Sequence, residues 1–154
     1  MSTDVFLRIG ISSCQLGIII DGGDTRMQDL RIGTGLLAAR CFRQAPPTAL
    51  EIKQAIKIMD ETLQPLLPFH SGNATLYNRD QLTLSIAKLA GSDGEHLSRE
   101  ALEQLFEQFS AIAHDRAAGT ARLPRAGAFS AQLIMLRQIL RQLDFGGISL
   151  QRRV

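Results

Sequence analysis

The chain has 154 residues, of which 45% are hydrophobic and 21% are charged, and its formal net charge is +2. This composition excludes a globally disordered protein, which needs low hydrophobicity and a high net charge, and the length predicts about one domain. The sequence has no apolar run near the roughly 18 residues of a membrane span and no signal-peptide pattern at its start. We therefore expect a cytoplasmic protein that does not enter a membrane.

Three strands are predicted at the beginning of the chain, over residues 5–10, 15–20 and 26–32. Residues 21–24 read Asp-Gly-Gly-Asp, which favours a hairpin because glycine accepts positive φ. These signals predict a three-stranded antiparallel meander. Such a small sheet needs a layer of helices on at least one face.

Helices are predicted over most of the remaining chain. A short one covers residues 36–42, and a longer one begins at Thr48, where Glu51 completes a capping box. Residues 66–69 form at most a short strand, 70–73 a turn, and Tyr77 and Arg79 a surface loop. Asp80 can begin a helix that runs to residue 89. Two further helices follow, one opened by Ser98 and one over residues 129–143, before a short strand at 148–150.

Charge and cysteine content narrow the function classes further. Residues 1–115 carry ten basic and fourteen acidic side chains, whereas residues 116–154 carry seven arginines and one acid, Asp144. This basic segment could meet an anionic ligand or partner, or it could complement the acidic helix around residues 100–107. Cys14 and Cys41 have no zinc-site spacing, and Cys14 is interpreted as a small buried residue.

Three segments of the chain carry a pattern that is known from one family. Residues 8–16 read RIGISSCQL, residues 30–38 read LRIGTGLLA, and residues 69–76 read FHSGNATL. In this order they resemble the segments D-I-G-G-G-S-T-E-L, S-L-P-L-G-x-x-R-L and G-x-G-G-T-A-T of the exopolyphosphatase and guanosine-pentaphosphate phosphatase (Ppx/GppA) family. The resemblance extends over nearly the whole chain, because the later helices also follow the family's order.

This resemblance implies an α/β fold, namely a single ribonuclease H-like (actin-like ATPase) lobe over residues 1–154. The expected lobe is a three-stranded antiparallel meander followed by helices and short strands, similar to the family's C-terminal half-domain. The resemblance also implies a phosphate- or nucleotide-binding site in two turns, at Gly10, Ser12, Ser13, Gly72, Asn73 and Thr75. The alternative is that both turns are ordinary connections that the fold requires.

Several departures from the family pattern bear on catalysis. Ile11 and Ser12 replace two glycines of the phosphate turn, and a β-branched residue does not readily adopt positive φ. Arg8 stands where the family has aspartate, and Gln15 stands where it has glutamate. Glutamine is neither a base nor a good ligand for a divalent cation. We therefore expect no catalytic residues, no metal and no cofactor, and we interpret Arg8 as an outward-facing strand residue.

Two functions remain after this reasoning. The first is a non-catalytic protein that acts as a homodimer or with a partner protein and senses a phosphorylated ligand. The second is an active, Mg²⁺-dependent phosphohydrolase on polyphosphate or on guanosine penta- or tetraphosphate, for which the nearest acids are Asp4, Asp21 and Asp24. Nucleic-acid binding is not expected, because the chain has one Tyr and no Trp for base stacking.

Overall fold

The computed structural model describes residues 3–20, 23, 25–67, 74–114 and 123–151. The six strands are β1 (Thr3–Ile9), β2 (Cys14–Ile20), β3 (Thr25–Leu30), β4 (Thr75–Tyr77), β5 (His96–Ser98) and β6 (Gly147–Ser149). The five α-helices are α1 (Thr34–Cys41), α2 (Ala49–Leu63), α3 (Gln81–Leu89), α4 (Arg99–His114) and α5 (Gly127–Gln142). A 3₁₀ turn, Gln64–Leu66, follows α2.

All six strands belong to one mixed sheet in the order β3-β2-β1-β4-β6-β5. The first three form the predicted antiparallel meander, with Ile9 opposite Cys14 and Ile19 opposite Thr25. Gly23, in the turn between β2 and β3, has a φ of 103°, as the hairpin signal predicts. Strands β1, β4 and β6 run parallel to one another, so their carboxyl ends meet at the same edge of the sheet.

Two of these strands are absent from the sequence-based expectation. Strand β4 was expected to be a turn and a surface loop, but Tyr77 is paired with Phe6 in the sheet and half-buried against its ring. The loop prediction for Tyr77 is therefore wrong. Strand β5 was also missed. Each has three residues, too few for an alternating pattern to be recognised in the sequence.

The two faces of the sheet differ sharply. Val5, Leu7 and Leu16 point to one face and are almost fully buried beneath the helices. Phe6 and Arg8 alternate with them along β1 and point to the opposite face, where Met27 is 57% exposed. This second face, which we call the open face, carries side chains that remain accessible to solvent.

Helix α5 is the centre of the helical layer, because it contacts α1, α2, α3 and α4. The apolar residues predicted to be buried along it, among them Leu133, Leu136 and Ile139, are buried. Three polar residues of α5 are buried as well, namely Ser130, Gln132 and Gln138. The Ser130 hydroxyl has no hydrogen-bond partner among the described residues.

The basic segment complements the acidic helix at two of its arginines. Arg137 donates from Nε to both carboxylate oxygens of Glu103, at 3.1 and 3.3 Å, and its guanidinium lies 4.0 Å from the centre of the Phe106 ring. Arg141 lies 3.7 Å from the same carboxylate. For these two arginines, the structure therefore supports the alternative that the basic segment complements the acidic helix.

The capping box at the start of α2 is present as predicted. Thr48 Oγ1 accepts from Glu51 N at 3.2 Å, and Glu51 Oε1 accepts from Thr48 N at 2.9 Å. Glu51 Oε2 also accepts from Arg43 N at 2.7 Å. Partial burial opposes ionisation of this carboxyl, but the hydrogen bonds from Thr48 and Arg43 outweigh it and hold the pKa of Glu51 below its ordinary value.

The turn between β1 and β2 is hydrogen-bonded to the start of α1. Gly10 O accepts from Thr34 N at 2.9 Å, and Ile11 O accepts from Gly35 N and Leu36 N at 2.9 and 3.1 Å. This close approach depends on Gly33, since a Cβ at that position would lie 2.4 Å from Gly10 O and 2.5 Å from the carbonyl of Ile11. Backbone carbonyl groups of the turn therefore accept the hydrogen bonds of the first amide groups of α1.

We expect Gly33→Ala to lower the free energy of unfolding by about 3 kcal/mol or more, because the added methyl group forces the turn and α1 apart. The control is Gly146→Ala, since no atom lies within 4 Å of a Cβ built at Gly146. Urea denaturation of both variants measures the difference. Equal stability of the two variants would contradict the close packing of the turn against α1.

Candidate functional site

An open groove of about 500 Å³ lies at the carboxyl ends of β1, β4 and β6. Ligands of α/β proteins commonly bind at this end of parallel strands. The groove is lined by Phe6, Leu7, Arg8, Tyr77, Asn78, Arg79, Asp80 and Gln151. Three of these eight residues come from the short connection between β4 and α3, which brings two of its polar side chains against the end of β1.

Asp80 is the centre of a polar network at the inner wall of this groove. Its Oδ2 atom accepts from Ile9 N at 3.1 Å, from Asn78 Nδ2 at 3.1 Å and from Gln132 Nε2 at 3.4 Å. The carboxylate thus ties β1, the connection after β4, and α5 together. It makes no capping hydrogen bond to the first turn of α3, although Asp80 occupies the N-cap position that the sequence predicts.

Asn78 and Thr83 complete the network. The Asn78 side chain is buried and donates from Nδ2 to Leu7 O at 2.9 Å, while its Oδ1 accepts from Asp80 N, also at 2.9 Å. Thr83 Oγ1 accepts from Gln132 Nε2 at 3.0 Å. A buried polar network is stabilising when its members have partners, so this cluster fixes the inner wall.

Two arginines give the groove its positive charge. Arg8 and Arg79 are both exposed, and neither has an acidic partner within the described part of the chain. Arg79 donates from Nη1 to Leu150 O, which places its guanidinium over the end of β6. Arg8 projects from the open face, as the sequence analysis expected. Two guanidinium groups against one carboxylate, that of Asp80, leave the described lining of the groove with a net positive charge, which attracts anions.

The predicted first phosphate turn lies at the same edge of the sheet but outside the lining of the groove. Gly10 N donates to Ser13 O at 2.8 Å, and the carbonyls of residues 10 and 11 point at α1. No residue of the turn has positive φ, so its amide groups do not alternate as they would in an anion-binding nest. The exposed residues Ser12 and Ser13 stay a predicted anion site.

Of the predicted second turn, Thr75 is the one site residue that lies among the described residues. Gly72 and Asn73 lie outside the described residues, and Thr75 opens β4 at its amino end, where it pairs with Asp4. Asp4 and Gly10 are six positions apart along β1, or about 20 Å in an extended strand. Thr75 therefore lies at the opposite edge of the sheet from Gly10, and residues 78–80 occupy the place beside β1 instead.

The structure describes one of the three carboxylates of the phosphohydrolase hypothesis, and that one does not line the groove. Asp4 lies at the amino end of β1, and Asp21 and Asp24 are outside the described residues. Within the part of the chain that the structure describes, no group of three His, Cys, Asp or Glu side chains could hold a metal ion. Among the described residues, Asp80 is the one that brings a carboxylate to the lining of the groove.

Neither cysteine offers a nucleophile to this region. Cys14 and Cys41 are both buried and form no disulfide. Burial, and to a lesser extent the negative charge of Asp80, raises the pKa of Cys14 to about 12. Burial also raises the pKa of Cys41. Both thiols therefore stay neutral at physiological pH, and the interpretation of Cys14 as a small buried residue is confirmed.

The sheet order, the three parallel strands and the helical layer are those of an actin-like, ribonuclease H-type fold, as the sequence resemblance implied. Solved Ppx/GppA-type structures share this fold. The Ppx/GppA enzyme of Aquifex aeolicus superposes with a TM-score of 0.73 at 18% identity, over 96% of this chain and 52% of that one. An exopolyphosphatase of Cytophaga hutchinsonii superposes with a TM-score of 0.65 at 19% identity, over 97% and 54%.

An exopolyphosphatase-like protein gives a TM-score of 0.71 at 19% identity, over 91% of this chain and 49% of that one. The chain thus spans about half the length of the solved structures that it matches. No protein-family model and no curated protein matches the sequence. Among the described residues, no helix has both the length and the apolar character needed to cross a membrane.

Removal of the Asp80 carboxylate tests its role in holding the groove together. We expect Asp80→Ala to lower the free energy of unfolding by about 2–4 kcal/mol, because donors on three elements lose their shared acceptor. The control Asp29→Ala, on the exposed part of β3, should change stability by no more than about 0.5 kcal/mol. Urea denaturation with matched slopes gives both values, and equal effects would contradict the structural role of Asp80.

Proposed function

We propose that this chain is a non-catalytic Ppx/GppA-like protein that binds a phosphorylated anion in the groove at the carboxyl ends of β1, β4 and β6. One observation carries the proposal. The groove is lined by two arginines that have no acidic partner among the described residues, and its one described carboxylate already accepts hydrogen bonds from within the chain. Arg8 and Arg79 supply charge and hydrogen-bond donors that suit phosphate oxygens. Asp80 accepts three hydrogen bonds at one oxygen from within the chain.

The same arrangement argues against hydrolysis. Phosphoryl transfer depends on positioning and charge neutralisation, usually with Mg²⁺, and on a group that orients the attacking water. Replacement of the family's acidic residues by Arg8 and Gln15 leaves the end of β1 without a carboxylate of its own. Gln15 lies directly opposite Arg8 in the sheet. Active hydrolysis of polyphosphate or of guanosine penta- or tetraphosphate, with Mg²⁺ as cofactor, is the alternative function.

The proposal also includes self-association and a cytoplasmic location. Strand β3 is an edge strand whose outer side has no neighbouring strand among the described residues, and a second copy could pair with it. Two free, buried cysteines fit a reducing compartment.

Calorimetric titration with pyrophosphate tests ligand binding. We expect binding that weakens as salt is added, and a loss of about tenfold or more in affinity for Arg8→Gln combined with Arg79→Gln, because each removes a charge-assisted hydrogen bond. The matched control is Arg26→Gln, since Arg26 is an exposed arginine that faces away from the groove. Equal affinities for the control and the double variant would exclude the groove as the site.

The phosphohydrolase alternative is tested separately by phosphate release from polyphosphate and guanosine tetraphosphate with Mg²⁺ present. We expect no release above the rate without protein. Turnover by the pure protein that is abolished by Asp80→Asn would establish catalysis and overturn the non-catalytic assignment. Asp29→Asn is the control for a general effect of charge removal, because Asp29 lies on the edge strand, outside the groove.

Light scattering tests self-association. We expect the mass of a dimer at micromolar concentration, and Met27→Pro should reduce it because proline in an edge strand removes a backbone donor and disfavours pairing. Circular dichroism would check that the variant stays folded. A monomer mass for the unmodified chain would contradict the homodimer.

A further inference from the structure

We infer that a second copy of this chain extends the sheet along β3 in one antiparallel register, with Met27 opposite the partner's Met27 on a two-fold axis. The inference rests on the self-association in the proposed function, and it adds the register through which the two copies pair. Closed dimers of identical chains usually have two-fold symmetry, in which the same patch of each copy meets itself. Strand β3 supplies such a patch.

The outer side of β3 is open to another strand. Strand β2 is its one neighbour among the described residues, and five of the six residues of β3 are exposed. Soluble proteins commonly protect an edge strand with lysine, proline or a bulge. Strand β3 contains neither residue, and it pairs with β2 over six consecutive positions without a bulge. Its two charged residues, Arg26 and Asp29, then decide which registers are favourable.

Symmetry restricts the register before charge does. A two-fold axis perpendicular to the sheet makes the two copies of β3 antiparallel and keeps each face of the sheet continuous with the same face of the partner. Because side chains alternate between the faces, the axis must pass beside one residue, which then lies opposite its own copy. The candidates are the four central residues of the strand, 26–29.

Three of these four registers bring unsuitable side chains together. An axis at residue 26 sets Arg26 directly opposite the partner's Arg26, and an axis at residue 29 sets Asp29 opposite the partner's Asp29. Like charges directly opposite each other destabilise a strand pair. An axis at residue 28 sets Met27 opposite the partner's Asp29, so that a carboxylate loses contact with water against an apolar side chain.

The remaining register, with the axis at Met27, gives each exposed side chain a suitable neighbour. Met27 is 57% exposed in the single chain, and contact with the partner's Met27 removes apolar surface from water. On the same face, the Thr25 hydroxyl lies opposite the partner's Asp29 carboxylate. On the other face, Arg26 lies opposite the partner's Gln28, whose amide oxygen accepts hydrogen bonds.

Disulfide formation tests this register. Met27→Cys places two thiols directly opposite each other, with Cα atoms about 5 Å apart, and copper phenanthroline as oxidant takes one hydrogen from each as the S–S bond forms. The matched control is Thr25→Cys on the same face, because the two copies of residue 25 lie four positions, or roughly 13 Å, apart along the strands. We expect the covalent dimer to form about tenfold faster, or more, for Met27→Cys than for the control. The buried Cys14 and Cys41 are common to both variants.

Charge substitutions at Gln28 give a second test that needs no new cysteine. We expect Gln28→Glu to tighten the dimer about threefold, because each new carboxylate lies opposite the partner's Arg26, and Gln28→Lys to weaken it by a similar factor. An axis at residue 28 predicts the opposite sign for Gln28→Glu, since two carboxylates would then face each other. Sedimentation equilibrium measures the dissociation constants. Gln28 is exposed, so both variants should fold with nearly unchanged stability.

The outcomes separate this inference from the proposed function. A dimer that cross-links no faster through residue 27 than through residue 25, or that Gln28→Glu weakens, would overturn the register while self-association stands. A monomer at every concentration would overturn both. Anion binding is independent of these results, because no residue of β3 lines the groove. The cross-linked Met27→Cys dimer should therefore bind pyrophosphate as tightly as the unmodified chain does.

Discussion

The structure depends on one partly buried acceptor, the Asp80 carboxylate, at the point where a strand, a connection and a helix meet. Its Oδ2 atom holds the backbone of Ile9 at the end of β1, the Asn78 side chain after β4, and Gln132 on α5. A network of this kind is stabilising because its donors are satisfied away from water, where an unpaired donor would be costly. It also places β4 beside β1, which brings Arg8 and Arg79 to one groove.

This structural use of Asp80 bears directly on function. The Ppx/GppA-type structures that share the fold are about twice as long as this chain, and their identities of 17–19% carry the fold rather than the activity. The residues that differ from the family pattern, Arg8 and Gln15, lie next to one another in the sheet. Arg8 gives this end of the sheet a positive charge where the family pattern has an aspartate, and Gln15 is neutral where the pattern has a glutamate.

The position of Thr75 shows how tertiary structure separates residues that motifs in the sequence suggest are together. The segment around Gly72 and Thr75 resembles a family turn, but β4 begins at Thr75 and runs parallel to β1, so Thr75 lies at the far edge of the sheet from Gly10. The connection at residues 78–80 is beside β1 instead. The role of this connection was missed because β4 has only three residues and leaves no clear pattern in the sequence. Without that strand, the sequence indicates only that Asp80 begins a helix.

The sequence by itself determined the elements that local signals specify: the antiparallel meander with its glycine turn, the Thr48 capping box, and the buried faces of the helices. These depend on residues a few positions apart, whose periodicity and turn chemistry are visible along the chain. The groove was decided by tertiary structure alone. Its hydrogen bonds join residues as many as 71 positions apart, and parallel pairing of short strands leaves no local pattern to reveal it.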